Sequence, residues 1–215
     1  MSDAIAAYLA ALFSPEDDVL RAVRDAAAQA GMPPIAVVPE TGRFLQVLLR
    51  AAGAHRVLEL GTLGGYSAIC MMRALPMDGR ILSLEINPEH AAFARRQLER
   101  AGVANRVEVR TGAALDLLPA LEGESFDAVF LDADKASLPA YFDWAIRLLR
   151  PGGLVIADNT LRGGQVLDEH DDDPDLRGIR EFNRKLATDA RVTGLVVPIG
   201  DGVGVGVLHS ERTTA

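Results

Sequence analysis

From Arg56 to Ala157 the chain alternates strand-length apolar runs with helix-length amphipathic ones, and this rhythm restricts the fold more than any other property of the sequence. Strands are expected at Arg56–Leu60, Arg80–Glu85, Arg106–Arg110, Phe126–Asp132 and Leu154–Ala157. Helices are expected between them at Ser67–Leu75, Pro88–Ala101, about Ala114–Leu121 and about Leu138–Leu149, and Pro151-Gly152-Gly153 reads as a turn before the fifth strand. Such alternation builds a mostly parallel sheet with helices on both faces, and right-handed crossovers largely fix its winding. The end of the chain departs from the rhythm. Asp175–Ala190 reads as a helix, and Val192–Pro198 and Val203–His209 read as two strands around Gly200-Asp201-Gly202. A tight hairpin there sets the last strand antiparallel, which makes seven strands in all.

Residues 3–13 form an alanine-rich helical pattern. Ser14-Pro15-Glu16-Asp17 then offers an N-cap, a first-turn proline and first-turn acids for a second helix running to about Ala30. After the break at Met32-Pro33-Pro34, Pro39-Glu40 restarts a helix with Phe44, Val47, Leu48 and Ala51 on one face. We therefore expect one domain over 1–215, with a helical extension (1–38) before a ligand-binding core (39–209). The apolar residues of 3–30 exceed what a solvated arm needs, so this extension should cover a pocket or a protein contact. With 49% hydrophobic residues the chain can bury a substantial core, and it holds no uninterrupted apolar run of about 18 residues that would span a membrane. Met1-Ser2-Asp3 lacks the positive flank of a signal peptide, so a cytoplasmic location is expected. The single cysteine, Cys70, excludes an internal disulfide. A net charge of −8 without any run of Lys and Arg argues against a nucleic-acid substrate.

Two segments carry the chemistry. Leu131-Asp132-Ala133-Asp134-Lys135 and Val155-Ile156-Ala157-Asp158-Asn159 are apolar runs that end abruptly in carboxylate and amide groups. As neighbouring parallel strands they bring Asp132, Asp158 and Asn159 together at the carboxyl edge of the sheet, where open α/β sheets bind ligands. Three oxygen ligands without histidine or thiol suit a hard divalent cation: Mg²⁺ first, with Ca²⁺ or Mn²⁺ open. Lys135, three residues after Asp132, stands where a proton acceptor could work beside the metal. After the first strand, Gly61-Thr62-Leu63-Gly64-Gly65 lacks both the dinucleotide fingerprint and a phosphate-loop lysine. Glu59 would repel a pyrophosphate and suits a cationic head. Glu85, 26 residues further on, can accept both hydroxyls of a ribose. The glycine loop with these two acids suggests S-adenosylmethionine (SAM).

So assembled, the chain resembles the cation-dependent class I O-methyltransferases, the group of catechol and caffeoyl-CoA O-methyltransferases, from about Pro34 to Leu208. The resemblance rests on Glu59-Leu60-Gly61, Gly64-Gly65-Tyr66-Ser67, Asp132-Ala133-Asp134-Lys135, Pro151-Gly152-Gly153, Asp158-Asn159-Thr160-Leu161 and Gly200-Asp201-Gly202. It implies the Rossmann-like methyltransferase fold, a homodimer, and a small aromatic acceptor with vicinal hydroxyls. It also implies that Asp132, Asp158 and Asn159 bind the metal and that Lys135 is the general base. Val37 (through its backbone), Glu59, Gly61, Thr62, Gly65, Ser67, Glu85, Ala114, Asp132 and Asp134 match SAM-contacting positions. The chain departs from plant relatives at Arg162-Gly163, which replace Trp-Asn and remove a substrate contact, and at Leu138, where many relatives carry tyrosine. The acidic segment 168–175 disfavours an anionic acyl-CoA acceptor if it lines the mouth.

Other readings stay open at this level: a metal-free SAM enzyme acting on another acceptor such as an amine, a SAM-binding protein without turnover and, more distantly, an NAD-dependent oxidoreductase. Asp132, Asp158 and Asn159 could instead cap turns, and Asp134 divides evenly between cofactor contact and structural cap. His55, His90, His170 and His209 lack metal-ligand spacing, Cys70 belongs to a core helix, and Tyr141, Phe142 and Trp144 read as packing residues, Tyr141 with a possible place in the acceptor pocket.

Overall fold

A computed structural model of the chain describes residues 3–209. Among these residues seven strands form one sheet: β1 (Arg56–Leu60), β2 (Arg80–Glu85), β3 (Val107–Thr111), β4 (Phe126–Leu131), β5 (Leu149–Ala157), β6 (Val192–Val197) and β7 (Val203–Leu208). Their spatial order is β3-β2-β1-β4-β5-β7-β6. The pairs among β1 to β5 are parallel, while β7 runs antiparallel to both β5 and β6. The last strand thus inserts before the one that precedes it, and the expected mostly parallel sheet with an antiparallel final strand is what the chain forms.

Eight α-helices complete the described fold: α1 (Asp3–Phe13), α2 (Asp18–Gln29), α3 (Pro39–Ala51), α4 (Tyr66–Met72), α5 (Pro88–Arg100), α6 (Ala114–Leu117), α7 (Leu138–Leu148) and α8 (Pro174–Thr188). Successive strand residues point to opposite faces, which splits the core in two. Val57, Ile81, Phe130 and Ile156 pack with Leu20 and Val23 of α2, Leu45 and Leu49 of α3 and Ile69 of α4. Leu58, Leu82, Val129 and Val155 pack with Phe142 of α7 and Ile179 and Phe182 of α8. Phe142 meets Phe182 edge to face at 5.9 Å between ring centres, a favoured aromatic geometry. Polar residues on these strands are therefore conspicuous, and Glu59 and Ser83 are both fully buried. None of the described helices is long and apolar enough to cross a membrane.

Several local expectations are corrected. The N-cap of α2 is Asp17 rather than Ser14: its extended backbone lets the carboxylate accept the Leu20 N–H at 3.0 Å. Pro15 consequently lies in the link between α1 and α2. The expected helix Ala114–Leu121 is α6 followed by a 3₁₀ turn over Leu118–Leu121, because Pro119 has no N–H to continue the α ladder. Pro151-Gly152-Gly153 is not a turn before a strand. The strand begins at Leu149 and runs through it, with Phe126 paired to Leu149 and Ala128 already paired to Leu154. The extra residues form a bulge, in which Gly152 adopts φ 77°. The acidic segment 168–175 ends inside α8, where Asp173 caps the N–H groups of Asp175 (2.7 Å) and Leu176 (3.3 Å). In the N-terminal region α2 buries Leu20 and Val23, whereas Ile5, Tyr8, Leu12 and Phe13 of α1 remain exposed.

Candidate active site

The strand order reverses between β1 and β4, so the chain leaves the two strands in opposite directions and opens a crevice at their carboxyl ends. The loops that follow these strands touch there. Gly61 donates to the Leu84 carbonyl at 2.9 Å and Asp132 to the Leu60 carbonyl at 2.8 Å. Gly61 has φ 91°, and a Cβ at this position would overlap the Asp132 carbonyl. Only glycine serves both demands. The three non-glycine residues with left-handed backbone among those described, Leu63 (φ 47°), Asn159 (φ 59°) and Arg162 (φ 49°), all lie in the segments that follow β1 and β5 at this edge, Arg162 at the start of a 3₁₀ turn. Such conformations are costly and concentrate at functional sites.

Glu59 sits one residue before the end of β1, opposite Ser83 of β2. Ser67, in the first turn of α4, donates to one of its oxygens at 2.5 Å, and Ser83 donates to the other. Thr62 hydrogen-bonds Ser83 in turn. Burial pushes the Glu59 carboxyl up to about 7, against the hydroxyl hydrogen bonds and with a further push from Asp132 and Glu85. Glu85 organises the glycine loop. One oxygen accepts the N–H groups of Thr62 (3.0 Å) and Leu63 (2.8 Å), and the other accepts that of Asn87 (2.9 Å). The two expected acids thus flank the loop, joined to it through Thr62. Gly65, with φ 83°, starts α4.

Across the crevice Lys135 lies 3.0 Å from Asp132 and is 7% exposed. Burial raises the Asp132 carboxyl, opposed by the Lys135 ammonium. Asp158, at the end of β5, is anchored by its N–H to the Leu131 carbonyl at 3.1 Å. Its carboxyl is pushed up to about 6 by burial and then by the neighbouring Asp132 charge. Oδ1 of Asp158 is buried with no hydrogen-bond partner. A carboxylate whose ionisation its neighbour opposes, and which carries an orphaned oxygen, fits a cation placed beside the pair. No group of three His, Cys, Asp or Glu side chains among the described residues could hold a metal, so a cation beside Asp132 and Asp158 would need a further ligand of another type, such as the Asn159 amide.

The segment after β5 is tied down from two directions. The Thr160 N–H donates to Gly202 O and the Leu161 N–H to Asp201 O, each at 3.0 Å, and the Gly163 N–H reaches the Asp201 carboxylate at 2.6 Å. From α8, the Asn183 amide donates to the Thr160 carbonyl at 2.8 Å. Asn183 and Ser83 were not visible as site residues in the sequence. The available signal was a polar residue inside an otherwise apolar strand, Ile81-Leu82-Ser83-Leu84.

The remaining expected positions are more peripheral. Val37 is buried, and its carbonyl accepts from Arg24 of α2 at 3.3 Å. Arg24 also lies over the Tyr66 ring and pairs with Glu16, to which the Tyr66 hydroxyl donates at 2.6 Å, so α2 is bound to the cofactor-side loops. Ala114 opens α6 and is buried. Asp134 accepts from the Ser137 N–H (2.9 Å) and the Tyr141 hydroxyl (2.5 Å), which hold its carboxyl low against partial desolvation. It anchors the start of α7, and Tyr141 is buried in the core on this face of the sheet.

This fold, with an acid-flanked glycine loop and an oxygen-rich edge at the switch point, defines a class I methyltransferase architecture. The model of the O-methyltransferase family matches residues 10–207, and the chain belongs to that family. It is 47% identical over 193 residues to the catechol O-methyltransferase of Niastella koreensis, covering 88% of this chain and 87% of the relative. It is 49% identical over 166 residues to the catechol O-methyltransferase of Mycobacterium tuberculosis, with 77% and 76% covered. Among solved structures, an O-methyltransferase from Bacillus cereus in complex with SAH superposes with a TM-score of 0.90 at 42% identity, covering 95% of this chain and 97% of that one. The resemblance read from the sequence motifs therefore holds for family and fold, and the protein is an O-methyltransferase.

Proposed function

We propose that the protein methylates one hydroxyl of a small aromatic vicinal diol, using SAM as donor and a divalent cation, Mg²⁺ foremost. The observation that carries this reading is the pairing of Lys135–Asp132 with the buried, unpartnered Asp158 oxygen at the switch-point edge. The names of the two catechol O-methyltransferase relatives support the acceptor class. SAM supplies its methyl as a sulfonium substituent in an in-line displacement by the acceptor oxygen, which needs near-contact alignment. Glu59, Ser67 and the 61–65 loop would hold the donor's charged end, and Glu85 would take the ribose while keeping that loop in shape. Asp132, Asp158 and Asn159 would hold the cation, whose charge stabilises an ionised diol and orients its two oxygens. In its neutral amine form Lys135 would accept the phenolic proton at Nζ, a group that Asp132 holds in place.

The test is transfer of a radiolabelled methyl group from SAM to a panel of catechols, with Mg²⁺ or with EDTA. Transfer that requires the metal is the expected result. Transfer indifferent to EDTA would detach Asp132, Asp158 and Asn159 from catalysis.

A further inference from the structure

At the opposite, amino edge of the sheet lies a cleft of about 520 Å³ that the methyl-transfer reading leaves unused. On this side of the sheet Glu108 of β3 is exposed and Arg110 half-buried, and the helix that follows β3, α6, spans only four residues. Arg56, Arg80, Arg106 and Arg110 line it, over a floor that includes Leu82 and Phe126. The first three stand side by side. Arg56 is in register with Arg80, and Arg106 directly precedes Val107, the partner of Ile81. Like charges at adjacent positions on neighbouring strands destabilise a sheet.

Only part of this charge is offset. Arg56 pairs with Glu124 at 2.5 Å and Arg110 with Glu108 at 2.6 Å. Arg80 and Arg106 pair with no carboxylate among the described residues. Arg80 donates to the carbonyl of Gly79, and Arg106 to those of Gly79 and Pro76. Four arginines against two glutamates around one cleft is a pronounced local excess in a chain of net charge −8.

We propose that this cleft binds a small phosphate monoester. Guanidinium forks match phosphate oxygens, an anion between the in-register arginines would relieve their mutual repulsion, and Arg56 is already seated over the buried Phe126 ring, 5.0 Å from its centre. A volume of this size is ordinary for a small-molecule site. The site is independent of the donor, the acceptor and the metal.

Phenyl phosphate is the probe, titrated calorimetrically at low salt into protein saturated with SAM, so that the carboxyl-edge site is filled. The expected result is saturable binding that weakens at least tenfold in Arg80→Gln and is unchanged in Arg191→Gln, a remote arginine paired with Asp189. Absence of saturable binding up to millimolar probe, or equal binding by Arg80→Gln, overturns the proposal. Arg110→Gln supplies the same comparison should Arg80→Gln melt early, and melting curves of each variant establish that it is folded.

Discussion

Glu59 is an ionisable group placed in a sheet interior, and its cost depends on pH. Its folded carboxyl titrates near 7 against an ordinary value of 4.5. The fold therefore favours the protonated form. Its contribution to stability is full below pH 4.5 and is lost as pH rises through 7. Glu59→Gln should raise stability at pH 8 by about 1–3 kcal/mol and change little at pH 4.5, which calorimetric melting at the two values checks. The same variant should bind SAM about 10- to 100-fold more weakly, since a hydrogen bond to a charged group is worth about 1.5–3 kcal/mol. Lys135→Ala removes the proton acceptor and should cut turnover by about 10²–10⁴-fold while leaving SAM affinity unchanged. Unchanged turnover would remove the base role. Glu59, Asp132 and Lys135 were legible from sequence because each ends or follows an apolar run at a strand terminus. Ser83 and Asn183 were not, because their meaning lies in partners 24 and 23 residues away across the fold.

At the scale of elements, α8 is one of two supports of the candidate metal loop, the hairpin around Asp201 and Gly202 being the other. Asn183→Ala leaves the Thr160 carbonyl without its 2.8 Å donor and frees a segment whose Asn159 is held at φ 59°. Outer partners of metal ligands typically matter by about 10–100-fold in affinity, and a calorimetric Mn²⁺ titration of this variant should show a loss in that range. Unaltered affinity would mean that the hairpin loop alone holds the segment. Asp17→Ala tests the cap of α2. Losing the Leu20 hydrogen bond should cost about 1 kcal/mol, and the exposed pair with Arg73 adds little, so the melting temperature should fall by about 2–4 °C. The order of strands and helices followed from hydrophobic periodicity, but their ends did not. Ser14 and Asp17 are both competent caps, and only the backbone path chooses between them. Pro-Gly-Gly marks a bulge and a turn equally well, and pairing with β4 decides which one forms.

For the whole molecule, closure depends on small residues in β7. Gly206 is buried, and a Cβ there would stand 2.6 Å from Val192 and 2.8 Å from Leu186. Gly206→Val introduces a residue that favours strands, yet it should destabilise by about 1–3 kcal/mol through overpacking, measured by urea unfolding. Stability equal to the parent would show that α8 can move off the sheet. The insertion of β7 between β5 and β6 also bears on biosynthesis. A ribosome delivers β7 after every other strand of this sheet, so β5 keeps an unpaired edge until that moment, and unpaired edges invite intermolecular pairing. The same late segment carries Asp201 and Gly202, which fasten the loop after Asp158. Nascent chains that stop before it therefore hold Asp132, Lys135, Asp158 and Asn159 without the hairpin that fastens the loop after Asp158, and they acquire that support in the step that seals the edge.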